Sequence, residues 1–493
     1  MALLDPENWR TLRGGEAEAV EPATGEVLGV LTLAGPSDVE RATNRAARAQ
    51  RDWAGTPYPE RAAVLRRAGD LIHRHAPEIS EWIVREAGSV PGKAEFEIRT
   101  AAEECYEAAA LAHRPLGQVL PSAAPRLSYT SRVPAGVVGV IAPFNVPLVL
   151  AVRSVAPALA LGNAVVLKPD PRTAVCGGHV LAAVFAAAGL PEGLLHVLPG
   201  GAGTGRALVG DPRVRVISFT GSTAAGRRVG ARAARHLKRA HLELGGNSAL
   251  LVLADADLDA AMSTAAWASF FHQGQVCMTA GRHLVHASLH DEYVARLAAR
   301  ADALTVGDPY REQVHLGPVI DRGQLDRIDT LVRAAAADGV RIAAGGTHRD
   351  LFYRPTVLAD GGTGPGSVGA SAAYGQEVFG PVAPVRAFHT LDEAVALATD
   401  SAYGLALGIV TRDAARALDL AARIPTGLLH INDQTVNDEP VAAFGGLADS
   451  GTGARFGGDA NLDAFTETRW TTVRATPAAY PFQPRARTKG AAR

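Results

Sequence analysis

VPAGVVGVIAPFNVPLVLAV, residues 133–152, is a run of twenty uncharged residues between Arg132 and Arg153, and its reading decides the fold. By length alone it would span a bilayer as a helix. Pro143 and Pro147, with Asn145 between them, argue otherwise, because two prolines so close together remove backbone donors and clash with the preceding turn. The same letters read as a buried strand, GVVGVIA (136–142), then a turn, then a helix opening near Pro147. Outward from this stretch the pattern repeats. AVVLK (164–168), LLHVL (194–198) and VRVISFTG (214–221) read as strands, and CGGHVLAAVFAAAG (176–189) as a helix ending at Gly189. Such alternation implies an α/β chain with a mainly parallel sheet covered by helices on both faces. A second alternating region runs from NSALLVL (247–253) to about residue 440. Residues 36–115 read as helices, with apolar positions at helical spacing in RAAVLRRAGDLIHRHAPEISEWIV (61–84).

The chain has 493 residues, 47% hydrophobic and 20% charged, which predicts a globular protein of two or three domains. A net charge of -1 gives no reason to expect nucleic acid or a membrane surface as partner. The cysteines, Cys105, Cys176 and Cys277, are too few and scattered for a disulfide framework and fit a reducing compartment. With no basic-then-apolar signal pattern in MALLDPENWR, a cytoplasmic location is expected. No internal repeat is visible, and the Pro- and Arg-containing end, residues 479–493, reads as a loose tail.

Three patterns look functional and are set aside. Gly364, Gly366 and Gly369 spell G-x-G-x-x-G, but Pro365 interrupts the motif and no amphipathic helix follows, so a loop is expected. His283, His286 and His290 have no carboxylate or cysteine to complete a metal site, and none is predicted. No G-x-S-x-G marks a serine hydrolase.

Four segments place polar groups where they are costly. In PFNVPL, Asn145 interrupts an apolar run. A buried amide there can donate to a developing oxyanion, and an Asn capping the next helix is the competing reading. In LELGGNS, Glu243 ends an apolar strand before two glycines, where burial would raise its pKa and suit it as a general base. An exposed strand-end carboxylate fits equally. In FFHQGQVCMTAGR (270–282), Cys277 sits among small and uncharged residues, as a nucleophile or as a small buried hydrophobe. In GQEVFGPV (375–382), Glu377 and Phe379 put a carboxylate and an aromatic ring two residues apart, suited to a ribose and a flat heterocycle.

Together, Asn145, Lys168, Glu243, Cys277, Glu377 and Phe379, in that order and context, resemble the aldehyde dehydrogenase superfamily over nearly the whole chain. EPATGEVLG (21–29), FTGSTAAG (219–226) and YGLALGIVTRD (403–413) support the resemblance. It implies that Cys277 is the nucleophile, that the Asn145 amide and the Cys277 backbone N–H form the oxyanion hole, and that Glu243 activates the water that hydrolyses a thioester. It also implies a nicotinamide cofactor, NAD with NADP also accepted. The implied contacts are Ala142, Pro143, Phe144, Lys168, Asp170, Arg172, Gly201, Gly221, Ser222, Gly226, Leu244, Gly245, Glu377 and Phe379. Members selective for NAD often carry Glu three residues after the lysine. Here that position is Pro171, followed by Arg172, which could attract a 2′-phosphate, whereas Asp170 could favour the free ribose. Ala443 and Asp449 also depart from the family's pattern near the substrate entrance.

LKPDPRTAVCGG (167–178), HINDQTVNDEPVA (430–442) and ARFGG (454–458) resemble the benzaldehyde, salicylaldehyde and vanillin dehydrogenase group. An aromatic aldehyde is therefore the expected substrate, in an apolar slot walled by Val146, Leu150, Phe271, Val436 and Phe444. Arg153 stands either buried against a carboxylate or beside the tunnel. Asn432, Asp433 and Asn437 either bond a ring hydroxyl or shape the loop. The implied architecture is an aldehyde dehydrogenase-like fold. Its Rossmann-like cofactor domain comes from 1–115 and 135–246, its α/β catalytic domain from 247–462. A small β oligomerisation extension comes from 116–134 and 463–478, formed by LSYTSRV and FTETRWTTV, whose edges would pair across subunits in a homodimer or homotetramer. Three other readings are a CoA-acylating enzyme, which would not need Glu243, an aliphatic aldehyde dehydrogenase, and a non-catalytic binding protein on this fold.

Overall fold

The computed structural model describes residues 2–361, 366–478, 480 and 482. The deciding stretch folds as the strand Val137–Ile141, a turn, and the helix Pro147–Ala160, every residue of which is buried. The strand is the centre of a five-stranded parallel sheet. Its order is Leu195–Val197, Ala164–Lys168, Val137–Ile141, Val214–Thr220, Arg239–Glu243. Strands buried on both faces read as unbroken apolar runs, which is why these letters resemble a membrane span. Among the described residues no helix is long and apolar enough to cross a membrane.

A seven-stranded sheet follows, in the order Arg341–Ala344, Thr356–Ala359, Val382–Phe388, Ala280–His286, Ser248–Val252, Ala406–Val410, Leu428–Ile431. Its pairs are parallel except the first, which is antiparallel. The segment expected to be helical holds Pro36–Gly55, Tyr58–Arg74, Ala76–Ala87 and Pro91–Leu111. Ahead of it, EPATGEVLG makes the turn of an antiparallel hairpin, Glu16–Val20 with Val27–Thr32.

Leu127–Pro134 pairs antiparallel with Thr466–Val473 along its full length, and Gly117–Val119 lies on its other edge. This sheet leaves Val119, Leu127, Trp470 and Val473 exposed.

The loops that matter follow the strands of the first sheet and precede those of the second. Ala142–Asn145 follows Ile141, Lys168 ends its strand, and Gly221 and Ser222 follow Thr220. Cys277 comes just before Ala280–His286, and Glu377 and Phe379 just before Val382–Phe388. Thus the carboxyl ends of one parallel sheet, the usual place for a ligand, face the entry loops of the other. Gly366 and Gly369 of the set-aside glycine motif lie in loop and a one-turn 3-10 helix, while Gly364 and Pro365 fall outside the described residues, as does most of the 479–493 tail. His283 is buried and bonded to Ser269 Oγ (2.6 Å) and Tyr293 OH (2.6 Å).

Candidate active site

Asn145 is held from two sides. Its side-chain amide donates to the Gln275 carbonyl (2.8 Å), and its own carbonyl accepts from Lys93 Nζ (2.9 Å). Lys93 pairs with Glu97 one helical turn on, both fully buried, and Glu97 also accepts from the Leu148 N–H (2.7 Å). A buried pair is tolerable only when its remaining groups are bonded, as here. One N–H of the Asn145 amide is thus spent on Gln275, which leaves the other to meet a ligand.

Cys277 follows a sharply turned segment. His272 (φ 49°), Gln273 (φ 56°) and Gly274 (φ 65°) are all left-handed, a cost that only a strongly fixed surrounding sustains. The fixing is visible: the Gln273 amide donates to the carbonyls of Gly88 (3.0 Å) and Pro318 (2.7 Å), and Gln275 Oε1 accepts from Ile320 N–H (3.0 Å). A methyl on Gly274 would lie 2.1 Å from the Gly380 carbonyl oxygen, so no other residue fits. Burial pushes the Cys277 thiol up to about 12, reinforced by the carboxylates of Glu377 and Glu243.

Glu243 ends its strand fully buried. Gly446 N–H donates to its Oε2 (3.2 Å), while Oε1 is buried without a partner. Burial raises this carboxyl to about 8, against the pull of that hydrogen bond and of Arg153 and Arg455.

Two cavities meet at Cys277 and Asn145. The larger, about 740 Å³, is walled by every residue expected to contact the cofactor except Gly226. The smaller, about 320 Å³, is walled by Val146, Leu150, Phe271, Val436 and Phe444, the five expected of the substrate slot, and by Arg153. One expectation needs correction, and two positions are defined. Gly226 lies behind the wall, where a methyl would approach Leu244 Cδ2 to 2.2 Å; its bareness admits a leucine, not a ligand. Glu243 borders neither cavity, because its carboxylate is turned to Gly446. Asn432 also lies outside. It adopts φ 58° and accepts from the Thr411 N–H (2.9 Å), shaping the loop, while Asp433 and Asn437 do reach the cavity.

The larger cavity suits a dinucleotide. Lys168 stands buried at its wall, its pKa lowered by burial. Ser222 caps the thirteen-residue helix Thr223–Arg235, whose first turn offers amide donors to an anion. Gly201 has open space where a side chain would be. Glu377 accepts from Gly246 N–H (3.0 Å), and burial raises it to about 7. Phe379 meets Phe144 edge-on at 5.8 Å. Arg172 is fully engaged: it grips Asp170 through two nitrogens (2.9 Å each), bonds Asp321 (2.5 Å) and lies 4.3 Å over the Phe144 ring. Asp170 is thereby neutralised, so neither residue acts as the free charge the sequence suggested.

In the smaller cavity Arg153 is both buried against carboxylates and part of the wall. It pairs with Asp438 and Glu104 and stacks 4.6 Å over Phe444. Trp267, stacked flat on Phe271 (4.4 Å, 17°), and Phe96 add aromatic wall. Neither these two nor the Lys93–Glu97 pair was foreseen. The i, i+4 spacing of the pair was legible, but not its burial.

These features coincide with a known family, whose sequence pattern, that of the "Aldehyde dehydrogenase family", matches residues 9–471. The chain belongs to this family. Among curated aldehyde dehydrogenases, a vanillin dehydrogenase of an Amycolatopsis strain is 66% identical over 492 residues, covering 98% of this chain and 100% of the relative. A benzaldehyde dehydrogenase [NAD(+)] of Pseudomonas putida is 50% identical over 476 residues, covering 96% of each. Of solved aldehyde dehydrogenases, the betaine aldehyde dehydrogenase of Staphylococcus aureus, in complex with NAD+, superposes with a TM-score of 0.91 at 28% identity, covering 95% of this chain and 93% of that one.

Proposed function

We propose that the protein oxidises an aromatic aldehyde to its carboxylic acid with NAD, through a thioester on Cys277. The observation that carries this reading is the meeting of two cavities at one thiol, a dinucleotide-sized one and a smaller aromatic-walled one. The aldehyde enters by the smaller cavity, its ring against Phe271, Trp267 and Phe444. Cys277 passes its proton to water in the cavity and attacks the carbonyl carbon as the thiolate, and the developing oxyanion takes the remaining Asn145 N–H and the Cys277 backbone N–H. When bound, the cofactor supplies the acceptor for the hydride that leaves this carbon. Rotation of Glu243 away from Gly446 then brings its carboxylate to the water that hydrolyses the thioester, and a base raised to about 8 is well matched to that proton.

The 66% and 50% identities to a vanillin and a benzaldehyde dehydrogenase support the aromatic class. The test is a kcat/KM panel of benzaldehyde, vanillin, hexanal, acetaldehyde and betaine aldehyde. The aromatic members should lead by about tenfold, equal to about 1.4 kcal/mol of differential transition-state binding. Short or charged aldehydes ahead of them would reject the assignment. The apolar residues left exposed on the three-stranded sheet support a homodimer or homotetramer joined there. The buried, unpaired thiols of Cys105 and Cys176 support a reducing, cytoplasmic setting.

A further inference from the structure

Glu243 is surrounded by bare backbone. Gly445, Gly446 and Gly451 lie around its carboxylate, and a methyl on Gly445 would meet Glu243 Oε1 at 2.7 Å and Arg455 Cδ at 2.9 Å. Arg455 and Glu243 therefore crowd the same glycine, which has φ 158°. The segment carrying these glycines is folded back on itself: Phe444 and Phe456 exchange backbone hydrogen bonds (2.8 and 2.9 Å). At its closed end Arg455 Nη1 donates to the carbonyls of Gly446 (3.1 Å) and Ala454 (3.0 Å). Gly446 is also the residue whose N–H holds Glu243. One residue, Gly446, thus links the guanidinium to the carboxylate through its two flanking peptide groups.

We propose that Arg455 is the positioning residue of Glu243: it fixes the Gly445–Gly446 segment that holds the carboxylate and places a positive charge beside it. The inference rests on the reading of Glu243 as the base for thioester hydrolysis. The charged and titratable groups facing Glu243 are Arg455 from this segment, Arg153 from the helix Pro147–Ala160, Asp438 from the loop after Leu428–Ile431, and Cys277. Arg153 is already committed to Asp438 and Glu104, whereas Arg455 spends its bonds on neutral carbonyls. Its charge adds to that of Arg153 in favouring the ionised form of Glu243. Loss of that charge disfavours the ionised carboxylate, so the base should titrate at higher pH.

The experiment follows acyl-enzyme decay by rapid quench across pH 6.5–9.5, with the rapid NADH burst recorded alongside, in Arg455→Ala, Arg455→Lys and Glu243→Gln. For Arg455→Ala the acidic limb of hydrolysis should move up by about one pH unit, slowing hydrolysis about tenfold near neutral pH, with burst rate and amplitude retained. Arg455→Lys, which keeps the charge, should recover at least half of that shift. An unmoved limb in Arg455→Ala, or a burst lost in step with hydrolysis, overturns the proposal. If Glu243→Gln hydrolyses its acyl-enzyme at the wild-type rate, the underlying reading of the base fails as well. A slow Glu243→Gln beside an unaltered Arg455→Ala sinks the positioning role alone.

Discussion

Gly226→Ala should weaken cofactor binding without touching the cofactor. The added methyl would lie 2.2 Å from Leu244 Cδ2, 2.9 Å from Cδ1 and 3.1 Å from Cγ. Carbon atoms prefer about 3.5–4.0 Å, so the leucine must give way by more than an ångström. Its neighbour Gly245 has no slack, since a methyl there would lie 2.2 Å from Glu377 Oε2. The open direction for Leu244 is the larger cavity, whose wall it forms. Overpacking of this kind costs about 1–3 kcal/mol. Expressed as lost affinity, the middle of that range is roughly thirtyfold in Kd. Titration of the variant with NAD, by calorimetry or quenching of intrinsic fluorescence, reads this directly. Gly203→Ala is the control, because its methyl would meet only Arg206 Nη2 at 3.9 Å. Gly226→Ala combined with Leu244→Ala removes the clash and should recover most of the affinity. A wild-type Kd for Gly226→Ala, or a double variant no better than the single, would refute the argument.

Three further outcomes are expected. Cys277→Ala should lose aldehyde oxidation while binding NAD within about twofold of wild type. Cys105→Ala and Cys176→Ala should keep their activity, since both thiols are fully buried and border neither cavity, whereas Cys277 borders both; loss of oxidation in either would reassign the nucleophile. Arg172→Ala frees Asp170, whose charge would then oppose a 2′-phosphate, so the ratio of kcat/KM for NAD over NADP should rise by about tenfold. A ratio that stays put or falls would show that Arg172 does not mask Asp170.

What could be read in advance, and what could not, follows from the kind of signal each residue carries. Asn145, Glu243 and Cys277 stood out because a polar letter in a buried run needs a reason. The strands around them stood out because parallel sheets covered on both faces are written in continuous apolar runs. Gly226 misled because a glycine looks the same whether it makes room for a ligand or for a leucine. Asn432 stayed open between two readings because an amide that caps backbone in a left-handed turn is indistinguishable, in letters, from one aimed at a substrate. Arg172 and Asp170 were visible as charges, but their mutual cancellation depends on rotamers and on Asp321, far along the chain. Lys93 reaches the backbone carbonyl of Asn145 in a distant segment, and Arg455 those of Gly446 and Ala454; pairing of side chain to backbone leaves no periodicity or motif behind.

Two of the segments that wall the smaller cavity are unequal. One is the helix Pro147–Ala160, where Leu150 and Arg153 share a segment with no solvent-facing residue; any change of size there must be absorbed by the tightly packed interior beneath. The other is the half-exposed loop that carries Asp433, Val436 and Asn437, where bulk can be added or removed against water. Of these two walls, only the loop lets substrate preference drift. Laboratory evolution toward larger or more polar aldehydes should accumulate its changes in the loop and leave the helix intact.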